Sequence, residues 1–242
     1  MASFPQPYVL SIAGHDPCAG AGLTADLKTF EHHKVYGLSV VTAITVQNDY
    51  DFKDVQWVDI NLIEDQVKIL FEAYKIDFVK IGLIENFSVL KRLLELLKEI
   101  NPEVKIIWDP ILKSSSGYGF HEVDNFNEEL LNHLYLITPN AEEYELLQKH
   151  ISDISSVNCL LKGGHSEEHK GTDILKYQGQ QISIKGESFN GKSKHGTGCV
   201  LSSAIVSNLV NGMDMKNACI QAKKYVEQYI LSTDENLGIH QF

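Results

Sequence analysis

Arginine is almost absent from this chain of 242 residues, in which Arg92 is the single arginine. Arg92 itself lies in a leucine-rich segment with helical periodicity. Arginine side chains commonly bind phosphate groups through two hydrogen bonds at once, and a chain with one arginine cannot build a phosphate site from several of them. Any anion-binding site must instead use lysines, backbone amides or a metal ion.

Cysteine and long apolar runs are also scarce. The cysteines Cys18, Cys159, Cys199 and Cys219 are scattered, without the spacing of a metal site, so we expect reduced thiols in a cytoplasmic protein. The sequence has neither a run long enough to span a membrane nor a charged and then apolar N-terminal leader, so we expect no membrane contact and no export. A net charge of −11 disfavours a nucleic-acid-binding surface.

Strand-like and helix-like segments alternate along the chain. Strands are predicted at Tyr8–Ala13, Ser39–Val46, Phe78–Ile81, Lys105–Trp108, Leu134–Thr138 and Cys159–Lys162. Helices are predicted at Leu23–His33, Ile60–Tyr74, Ser88–Ile100 and Ala141–His150, and from Gly198 and Met215 onwards. Asp173–Tyr177 and Gln181–Lys185 are predicted to form a hairpin. With no repeat or linker, we predict one α/β domain over residues 1–242, with a mostly parallel, doubly wound sheet and a late antiparallel hairpin.

The segment Lys192–Cys199 is the most informative part of the chain, because two glycines around Thr197 lead directly into an apolar helix-like run. A helix that starts there presents unpaired backbone N–H groups and the positive end of its dipole at one point. Phosphoryl transfer uses such fixed donors to hold developing negative charge. The alternative is a glycine-rich loop that simply feeds a buried helix.

Two further patterns match nucleotide-binding expressions without the expected context. Gly186–Ser193 fits a P-loop, but the glycines that follow it prevent a helix from starting at the lysine and serine. Gly20–Ala25 fits the dinucleotide fingerprint, but its glycines lie seven or more residues after the preceding strand. The next strand also ends in Gln47-Asn48, where an acidic residue would hold a ribose. An NAD(P)-dependent oxidoreductase is therefore the less favoured interpretation.

Polar or glycine-containing motifs follow five predicted strands, where ligands of doubly wound sheets bind. Gln47 could present its amide to a flat heterocycle or be a surface amide, and Asp109 could organise metal and phosphate or only start a loop. Asn140 could simply cap a helix, with Glu143 complementing the helix dipole. The glycines after Lys162 would let a nucleotide approach the backbone.

These motifs occur in order over residues 8 to about 230. They are Ser11-Ile12-Ala13-Gly14-x-Asp16, Gly20-Ala21-Gly22-x-x-Ala25-Asp26-Leu27-Lys28-Thr29-Phe30, Val35-Tyr36-Gly37, Thr42-Ala43-x-Thr45-x-Gln47-Asn48, Val79-Lys80-Ile81-Gly82, Asp109-Pro110, Thr138-Pro139-Asn140, Leu161-Lys162-Gly163-Gly164-His165 and His195-Gly196-Thr197-Gly198-Cys199. Together they resemble the hydroxymethylpyrimidine/phosphomethylpyrimidine kinases of the ribokinase-like superfamily. The resemblance implies a three-layer α/β/α fold, a homodimer, and ATP- and Mg²⁺-dependent phosphorylation of 4-amino-5-hydroxymethyl-2-methylpyrimidine in thiamine biosynthesis. It also implies phosphorylation of the monophosphate to the diphosphate.

The same resemblance implies a role for each matching residue. The catalytic anion hole would be formed by Gly196, Thr197, Gly198 and Cys199. The pyrimidine would be bound by Gly14, Asp26, Gln47 and Gly82, ATP by Asn140, Lys162, Gly163 and Gly164, and Mg²⁺ by Asp109 and Glu143. Cys199 stands where most superfamily members have an aspartate base. Its thiol would serve as a base only if the helix N-terminus lowers its pKa from the usual value of about 8.5.

Departures from the family pattern leave alternatives open. The loop His15–Ala19 contains Pro17, which stiffens it, and Cys18, in place of the usual serine and glycine. The lid segment Lys113–Gly117 lacks the cysteine with which related kinases trap pyridoxal, which disfavours a pyridoxine/pyridoxal kinase of the same fold without excluding it. The chain is somewhat short for the family, and the second phosphorylation must accommodate an extra phosphate. The sequence therefore leaves open whether the protein catalyses this second step. A non-catalytic pyrimidine sensor is a further alternative of a different class.

Overall fold

The computed structural model describes residues 6–112, 128–149, 151, 154–163, 171–186 and 193–241. These residues form nine strands in a single sheet. The strands are β1 (Tyr8–His15), β2 (Tyr36–Gln47), β3 (Phe52–Trp57), β4 (Ile76–Ile81), β5 (Lys105–Trp108), β6 (Leu136–Ile137), β7 (Cys159–Leu161), β8 (Thr172–Tyr177) and β9 (Gln180–Lys185). The predicted strands and the hairpin are all present, with bounds that differ by a few residues.

Six α-helices lie in the described part of the chain. They are α1 (Gly22–His32), α2 (Ile60–Ala73), α3 (Phe87–Ile100), α4 (Ala141–Gln148), α5 (Thr197–Val210) and α6 (Met215–Leu231). Short 3₁₀ helices cover Glu128–His133 and Ile154–Ser156. No helix among these residues combines the length and apolar character that crossing a membrane requires.

The strand order is β3-β2-β1-β4-β5-β6-β7-β8-β9, so the chain starts in the middle of the sheet and moves outwards in both directions. Strands β2, β1, β4, β5, β6 and β7 are parallel to one another. The direction of winding changes between β1 and β4, and ligands of doubly wound sheets bind outside the carboxyl ends of strands at such a point. The fold therefore places the motifs that follow β1 and β4 at one crevice.

The sheet has antiparallel strands at both edges, whereas the sequence predicted only the late pair. Strands β8 and β9 form the predicted hairpin, but β3 also pairs antiparallel with β2. Lys53, Asp54 and Gln56 of β3 are exposed, as is common for an edge strand with a solvated face. This strand was missed because so polar and short a segment gives little hydrophobic periodicity.

Helices cover both faces of the sheet and create two cores. Leu10 and Ile12 of β1 are fully buried in the core that contains α2 and α3, while Val9 is buried in the core that contains α5 and α6. Each buried aliphatic side chain of this kind stabilises the fold by about 1.5–3 kcal/mol. A strand buried on both faces explains why Tyr8–Ala13 reads as a nearly continuous apolar run. The predicted three-layer α/β/α fold is confirmed.

Candidate active site

Residues 196–199, at the N-terminus of α5, have the geometry of an anion-binding turn. Gly196 precedes the helix with φ of 78°, and a Cβ at this position would collide with the carbonyl oxygen of Gly20. The N–H of Thr197 donates weakly to the carbonyl of Lys194, at 3.4 Å. No side chain caps the helix, so the first-turn amides of Gly198 and Cys199 lie at the positive end of the dipole without a side-chain acceptor. Such a turn can bind a phosphate group.

The absence of a cap distinguishes α5 from most other helices of the described chain. Asp or Asn side chains cap α2, α3, α4 and α6, whereas α1 and α5 have no side-chain cap. The two uncapped ends meet, because a Cβ on Gly196, the N-cap residue of α5, would lie 2.9 Å from the Cα of Ala21, the N-cap residue of α1. Two helix N-termini therefore lie side by side.

Asp109 follows β5 and is 1% exposed. Its Oδ1 accepts hydrogen bonds from Lys162 Nζ at 2.9 Å and from Thr138 Oγ1 at 3.0 Å, while its Oδ2 accepts one from Ser202 Oγ at 3.2 Å. Burial raises the pKa of Asp109, but the ammonium groups of Lys162 and Lys80 outweigh this effect and hold the pKa below its usual value. Asp109 is thus a fixed negative charge rather than a proton acceptor.

Lys162 links this carboxylate to the anion-binding turn. A Cβ on Gly198 would lie 3.5 Å from Lys162 Nζ and 3.9 Å from Asp109 Oδ2, so the pair borders the start of α5 directly. Burial lowers the pKa of Lys162, but Asp109 and Glu143 together raise it above its usual value. Lys162 therefore stays charged and complements the backbone amides as a cationic donor beside the turn.

Asn140 and Glu143 form a reciprocal capping box at the start of α4. The N–H of Glu143 donates to Asn140 Oδ1 at 2.9 Å, and the N–H of Asn140 donates to Glu143 Oε2 at 2.7 Å. Glu143 Oε2 also lies 3.8 Å from Lys162 Nζ. Burial raises the pKa of Glu143, Lys162 opposes the rise, and Asp109 adds to it. The capping interpretation is correct for Asn140, while Glu143 additionally faces the Lys162 ammonium.

The loop after β1 is organised by Asp16, which is 1% exposed. Its carboxylate accepts hydrogen bonds from the N–H groups of Cys18, Gly20 and Ala21. His195 Nε2 lies 3.0 Å from Asp16 Oδ2, so the same carboxylate also joins the loop to the residue before the anion-binding turn. Burial raises the pKa of Asp16, but the bonds from His195, Cys18 and Ala21 lower it to about 2.

Gly14, Gln47 and Gly82 lie at the ends of three adjacent strands. Gly14 ends the buried part of β1, and a Cβ there would lie 2.9 Å from a methyl group of Leu83. Gln47 is half-buried at the end of β2, and its Nε2 donates to Thr45 Oγ1 at 2.9 Å. Gln47 also lines a small cleft between the β2–β3 turn and His195. The carboxamide of Gln47 therefore lies on the β2 side of the β1–β4 pair, and Asp109, which follows β5, lies on the other side.

A comparison with known families identifies this arrangement. The family described as phosphomethylpyrimidine kinase matches residues 16–241, which is nearly the whole chain and includes all of the elements above except β1. The chain belongs to the phosphomethylpyrimidine kinase family. A member of this family is a phosphotransferase, which agrees with the anion-binding turn and the charged pair beside it.

Individual relatives agree with this assignment. A hydroxymethylpyrimidine/phosphomethylpyrimidine kinase of Aquifex aeolicus is 35% identical over 239 residues, which cover 91% of this kinase and 93% of the relative. The crystal structure of phosphomethylpyrimidine kinase from Clostridium difficile 630 matches with a TM-score of 0.74 and 30% identity, covering 93% of this chain and 100% of that one. Pyridoxal kinase from Staphylococcus aureus in complex with AMP-PCP and pyridoxal matches with a TM-score of 0.80 and 26% identity, covering 97% and 92% respectively.

Asp26, which the resemblance implies as a ligand of the pyrimidine, has protein donors around its carboxylate. Its side chain is fully buried on α1, and Lys80 Nζ donates to both carboxylate oxygens at 2.9 and 2.8 Å. Ser11 and Ser203 donate to the same oxygens at 2.6 and 2.7 Å. The carboxylate is therefore occupied by protein donors and serves to join α1, β1, β4 and α5 beneath the crevice. Gly82 accommodates this pair, since a Cβ there would lie 3.0 Å from Lys80 Nζ.

Cys199 differs from the reactive base that a helix N-terminus would favour. Burial raises the pKa of its thiol, Lys80 opposes the rise, Asp26 and Asp109 add to it, and the pKa reaches about 11. The side chain is 6% exposed. The thiol is therefore protonated near neutral pH, and its pKa is raised where the helix N-terminus was expected to lower it.

Lys194, which precedes the glycines of the anion-binding turn, is bound by acceptors of the C-terminal segment. Its Nζ donates to Thr233 Oγ1 and to the carbonyls of Thr233 and Glu235, and the N–H of His195 donates to the carbonyl of Asn236. This lysine thus anchors the C-terminal segment against the anion-binding turn. Sequence reasoning missed the contact because a lysine near glycines suggests a phosphate ligand, while the partners lie about 40 residues away.

Other predicted features fall outside the described residues. Gly164, Lys192 and the segment Lys113–Gly117 are among them.

Gly163, one of the residues expected to lie near ATP, binds a buried carboxylate through its backbone. Its N–H donates to Asp173 Oδ1 at 2.9 Å, and Asp173 in turn pairs with Lys223 of α6. Asp173 is a residue that the sequence analysis did not single out, because nothing in a strand of mixed polarity marks a buried carboxylate.

Proposed function

We propose that this kinase transfers the γ-phosphoryl group of ATP to the hydroxymethyl oxygen of 4-amino-5-hydroxymethyl-2-methylpyrimidine, and then phosphorylates the monophosphate to the diphosphate. The observation that carries the proposal is the uncapped N-terminus of α5 beside the Asp109–Lys162 pair. The family assignment and the 35% identical relative of that name support the substrate.

In the first step, the hydroxymethyl oxygen forms a bond to the transferred phosphorus while the bond from phosphorus to the bridging oxygen of ADP breaks. The hydroxyl proton leaves to solvent or to the new phosphate group. The amides of Gly198 and Cys199 would hold the oxygens of the transferring group, and Lys162 would complement their charge. Because the transition state is loose, holding and orienting these oxygens supplies most of the catalysis.

Mg²⁺ is implied by the family, and the residues beside the turn fit it chemically. Asp109 and Glu143 offer carboxylate oxygens, which Mg²⁺ prefers, and Mg²⁺ usually keeps several waters when one or two carboxylates and substrate phosphates hold it. Lys162 already occupies Oδ1 of Asp109, which favours contact through water at that residue. When bound, the ion would neutralise charge on the ATP phosphates.

The pyrimidine would lie between Gly14, Gln47 and Gly82, with ATP over Lys162, Gly163, Gly164 and the start of α4 at Asn140. Gln47 would give the heterocycle its polar partner, because a carboxamide can both donate and accept in one plane. Asp26 supports this surface from below and does not contact the substrate.

The purified protein should be incubated with Mg·ATP and hydroxymethylpyrimidine, with pyridoxine in a parallel tube, and the products separated by mass. A pyrimidine diphosphate is expected, and monophosphate alone would limit the activity to the first step. Phosphate on pyridoxine alone would replace the substrate with that of a pyridoxine kinase. No ATP turnover on either compound would favour the non-catalytic sensor and contradict the proposal.

The homodimer is a separate proposal. Ile44 and Val46 of β2 are 51% and 54% exposed, and both side chains project from the same face of the strand next to the β3 edge. A second copy of the chain would cover these apolar side chains. Light scattering should give twice the chain mass, and an Ile44→Lys variant should give a monomer. A monomeric wild-type protein at micromolar concentration would contradict the proposal.

A further inference from the structure

The described part of the chain contains four buried aspartates, and one of them has a different kind of partner. Asp26 pairs with Lys80, Asp109 with Lys162 and Asp173 with Lys223. Asp16 is instead surrounded by the thiol of Cys18 and the imidazole of His195. Ammonium groups neutralise the first three carboxylates, whereas the side chains around Asp16 are those that bind transition metals.

The three side chains already lie close to the geometry of a metal site. Cys18 Sγ lies 3.1 and 3.2 Å from the two oxygens of Asp16, and His195 Nε2 lies 3.0 Å from Asp16 Oδ2. All three ligand atoms lie within 4.8 Å of one another. Around a tetrahedral Zn²⁺, with bonds of about 2.0–2.3 Å, neighbouring ligand atoms are roughly 3.3–3.5 Å apart. The distances from Asp16 to Cys18 and to His195 therefore need to increase by only a few tenths of an ångström.

We propose that Asp16, Cys18 and His195 form a binding site for a thiophilic divalent cation such as Zn²⁺. The sulfur of Cys18, one oxygen of Asp16 and Nε2 of His195 would be three ligands, with water as the fourth. On binding, the Cys18 thiol loses its proton to solvent and the neutral imidazole carries its proton on Nδ1. One thiolate and one carboxylate then balance the two positive charges of the ion.

A small cleft lies beside His195, one member of this cluster. This cleft between the β2–β3 turn and His195 is lined on one side by Asp49 and Asp51. Asp49 is close enough to Cys18 for its charge to act on the thiol. Two carboxylates along this cleft raise the local concentration of cations beside the cluster. Cys18 itself is partly exposed, so its sulfur can be reached from solvent.

The site would connect two parts of the active site that are far apart in sequence. Asp16 and Cys18 belong to the loop after β1, and His195 directly precedes Gly196 of the anion-binding turn. A cation bound to all three would fasten the loop to the turn. We expect bound Zn²⁺ to raise the melting temperature of the protein, since a ligand that binds only the folded state stabilises it. Binding itself needs neither ATP nor pyrimidine and is independent of the proposed reaction.

The test compares the metal-free wild-type protein with Cys18→Ser and with Cys219→Ala, which removes a buried thiol of α6 outside the cluster. Zn²⁺ affinity is measured by competition with a chromogenic chelator, without nucleotide. Wild type and Cys219→Ala should bind one Zn²⁺ per chain with equal affinity, and Cys18→Ser should bind it about tenfold more weakly or worse, since even residues around the ligands contribute about 10–100-fold.

Co²⁺ provides a second readout that reports the ligand directly. Wild type loaded with Co²⁺ should show the charge-transfer absorption of a thiolate–Co²⁺ bond, and Cys18→Ser should lack it. Equal Zn²⁺ affinity in wild type and Cys18→Ser, or the same Co²⁺ spectrum in both, would overturn the site. Loss of binding in Cys219→Ala with retention in Cys18→Ser would also overturn it, by placing the ion elsewhere.

Discussion

Gly198 is the residue at which the anion-binding turn can be tested most directly. A Cβ at this position would lie 3.5 Å from Lys162 Nζ and 3.9 Å from Asp109 Oδ2, which are ordinary contact distances. A methyl group therefore fits, whereas a carboxylate would fill the phosphate position with negative charge. The two substitutions separate the effect of charge from the effect of size.

We expect Gly198→Asp to lower kcat by about 10²–10³ or more, because the added charge repels the transferring phosphoryl group and consumes the donors that would hold it. Gly198→Ala is the control and should keep most of the activity. Circular dichroism should show that both variants are folded. If Gly198→Asp turns over ATP at the wild-type rate, the phosphoryl group is not held at this turn.

Cys199 yields a prediction about pH. Since its pKa is raised to about 11, the thiol stays protonated throughout the neutral range and contributes no ionisation to catalysis there. We expect the shape of the kcat–pH profile between about pH 6 and 9 to be the same in wild type and in Cys199→Ser. Cys199→Ala should lower kcat more than it raises the KM for the pyrimidine, by its effect on the turn. An inflection that disappears with Cys199→Ser would restore the thiol as a base.

At the scale of elements, the Asp26–Lys80 pair holds the layers together under the crevice. Lys80 lies on β4, Asp26 on α1, and Ser203 of α5 donates to the same carboxylate. Both charged side chains are fully buried. An ion pair in this environment contributes little when intact but leaves an uncompensated buried charge when one partner is removed.

Lys80→Met should therefore lower the free energy of unfolding by about 3–5 kcal/mol, measured by urea denaturation. The double variant Asp26→Asn/Lys80→Met should lose less than the sum of the two single changes, since no charge is then left unpaired. Lys68→Met, which removes a lysine whose exposed side chain lies 3.9 Å from Glu64, is the control and should change the free energy of unfolding by less than about 1 kcal/mol. A small loss in Lys80→Met would show that the pair is not buried in solution.

At the scale of the whole molecule, the C-terminal segment fastens the last helix to the loops of the active site. Lys194 holds it at Thr233 and Glu235, and Asn236 donates to the carbonyl of Asp49 in the β2–β3 turn. His240 attaches the end of this segment to α6, because its Nδ1 lies 2.7 Å from the hydroxyl oxygen of Tyr225. This hydrogen bond requires an unprotonated Nδ1 if the tyrosine is the donor.

Burial lowers the pKa of His240, the charges of Lys28, His32 and His33 add to this effect, and the pKa falls to about 4. In the unfolded chain His240 is protonated below about pH 6.5, whereas in the folded protein it stays neutral down to about pH 4. The free energy of unfolding therefore decreases as the pH falls from about 6.5 to about 4. After allowance for solvent screening, the loss is about 2 kcal/mol. His240→Phe should flatten the dependence of unfolding free energy on pH between 6.5 and 4. An unchanged slope would show that His240 titrates normally.

The local part of the architecture could be predicted from the sequence alone. Strands buried on both faces, such as β1, and amphipathic helices, such as α3, have hydrophobic periodicity that does not depend on distant partners. The glycine turn before α5 could be predicted for the same reason, since Gly196 and Gly198 permit it within a few residues. The strand β3 could not, because its place is decided by pairing with β2 and not by its own apolar pattern.

The roles of charged side chains were decided by contacts between residues far apart in the chain. The resemblance implied that Asp26 binds the substrate, but in the structure Lys80, 54 residues away, donates to both of its carboxylate oxygens. Cys199 lies at a helix N-terminus, where a lowered pKa would be ordinary, but burial by the surrounding layers raises it instead. Asp16, Cys18 and His195 have no metal-site spacing in the sequence and meet only in the fold. The sequence by itself determined the family, the order of the elements other than β3, and the glycine turn before α5. The tertiary structure decided which charges are neutralised and which groups face the crevice, because burial and long-range pairing change the energy of a charge far more than its neighbours in the chain do.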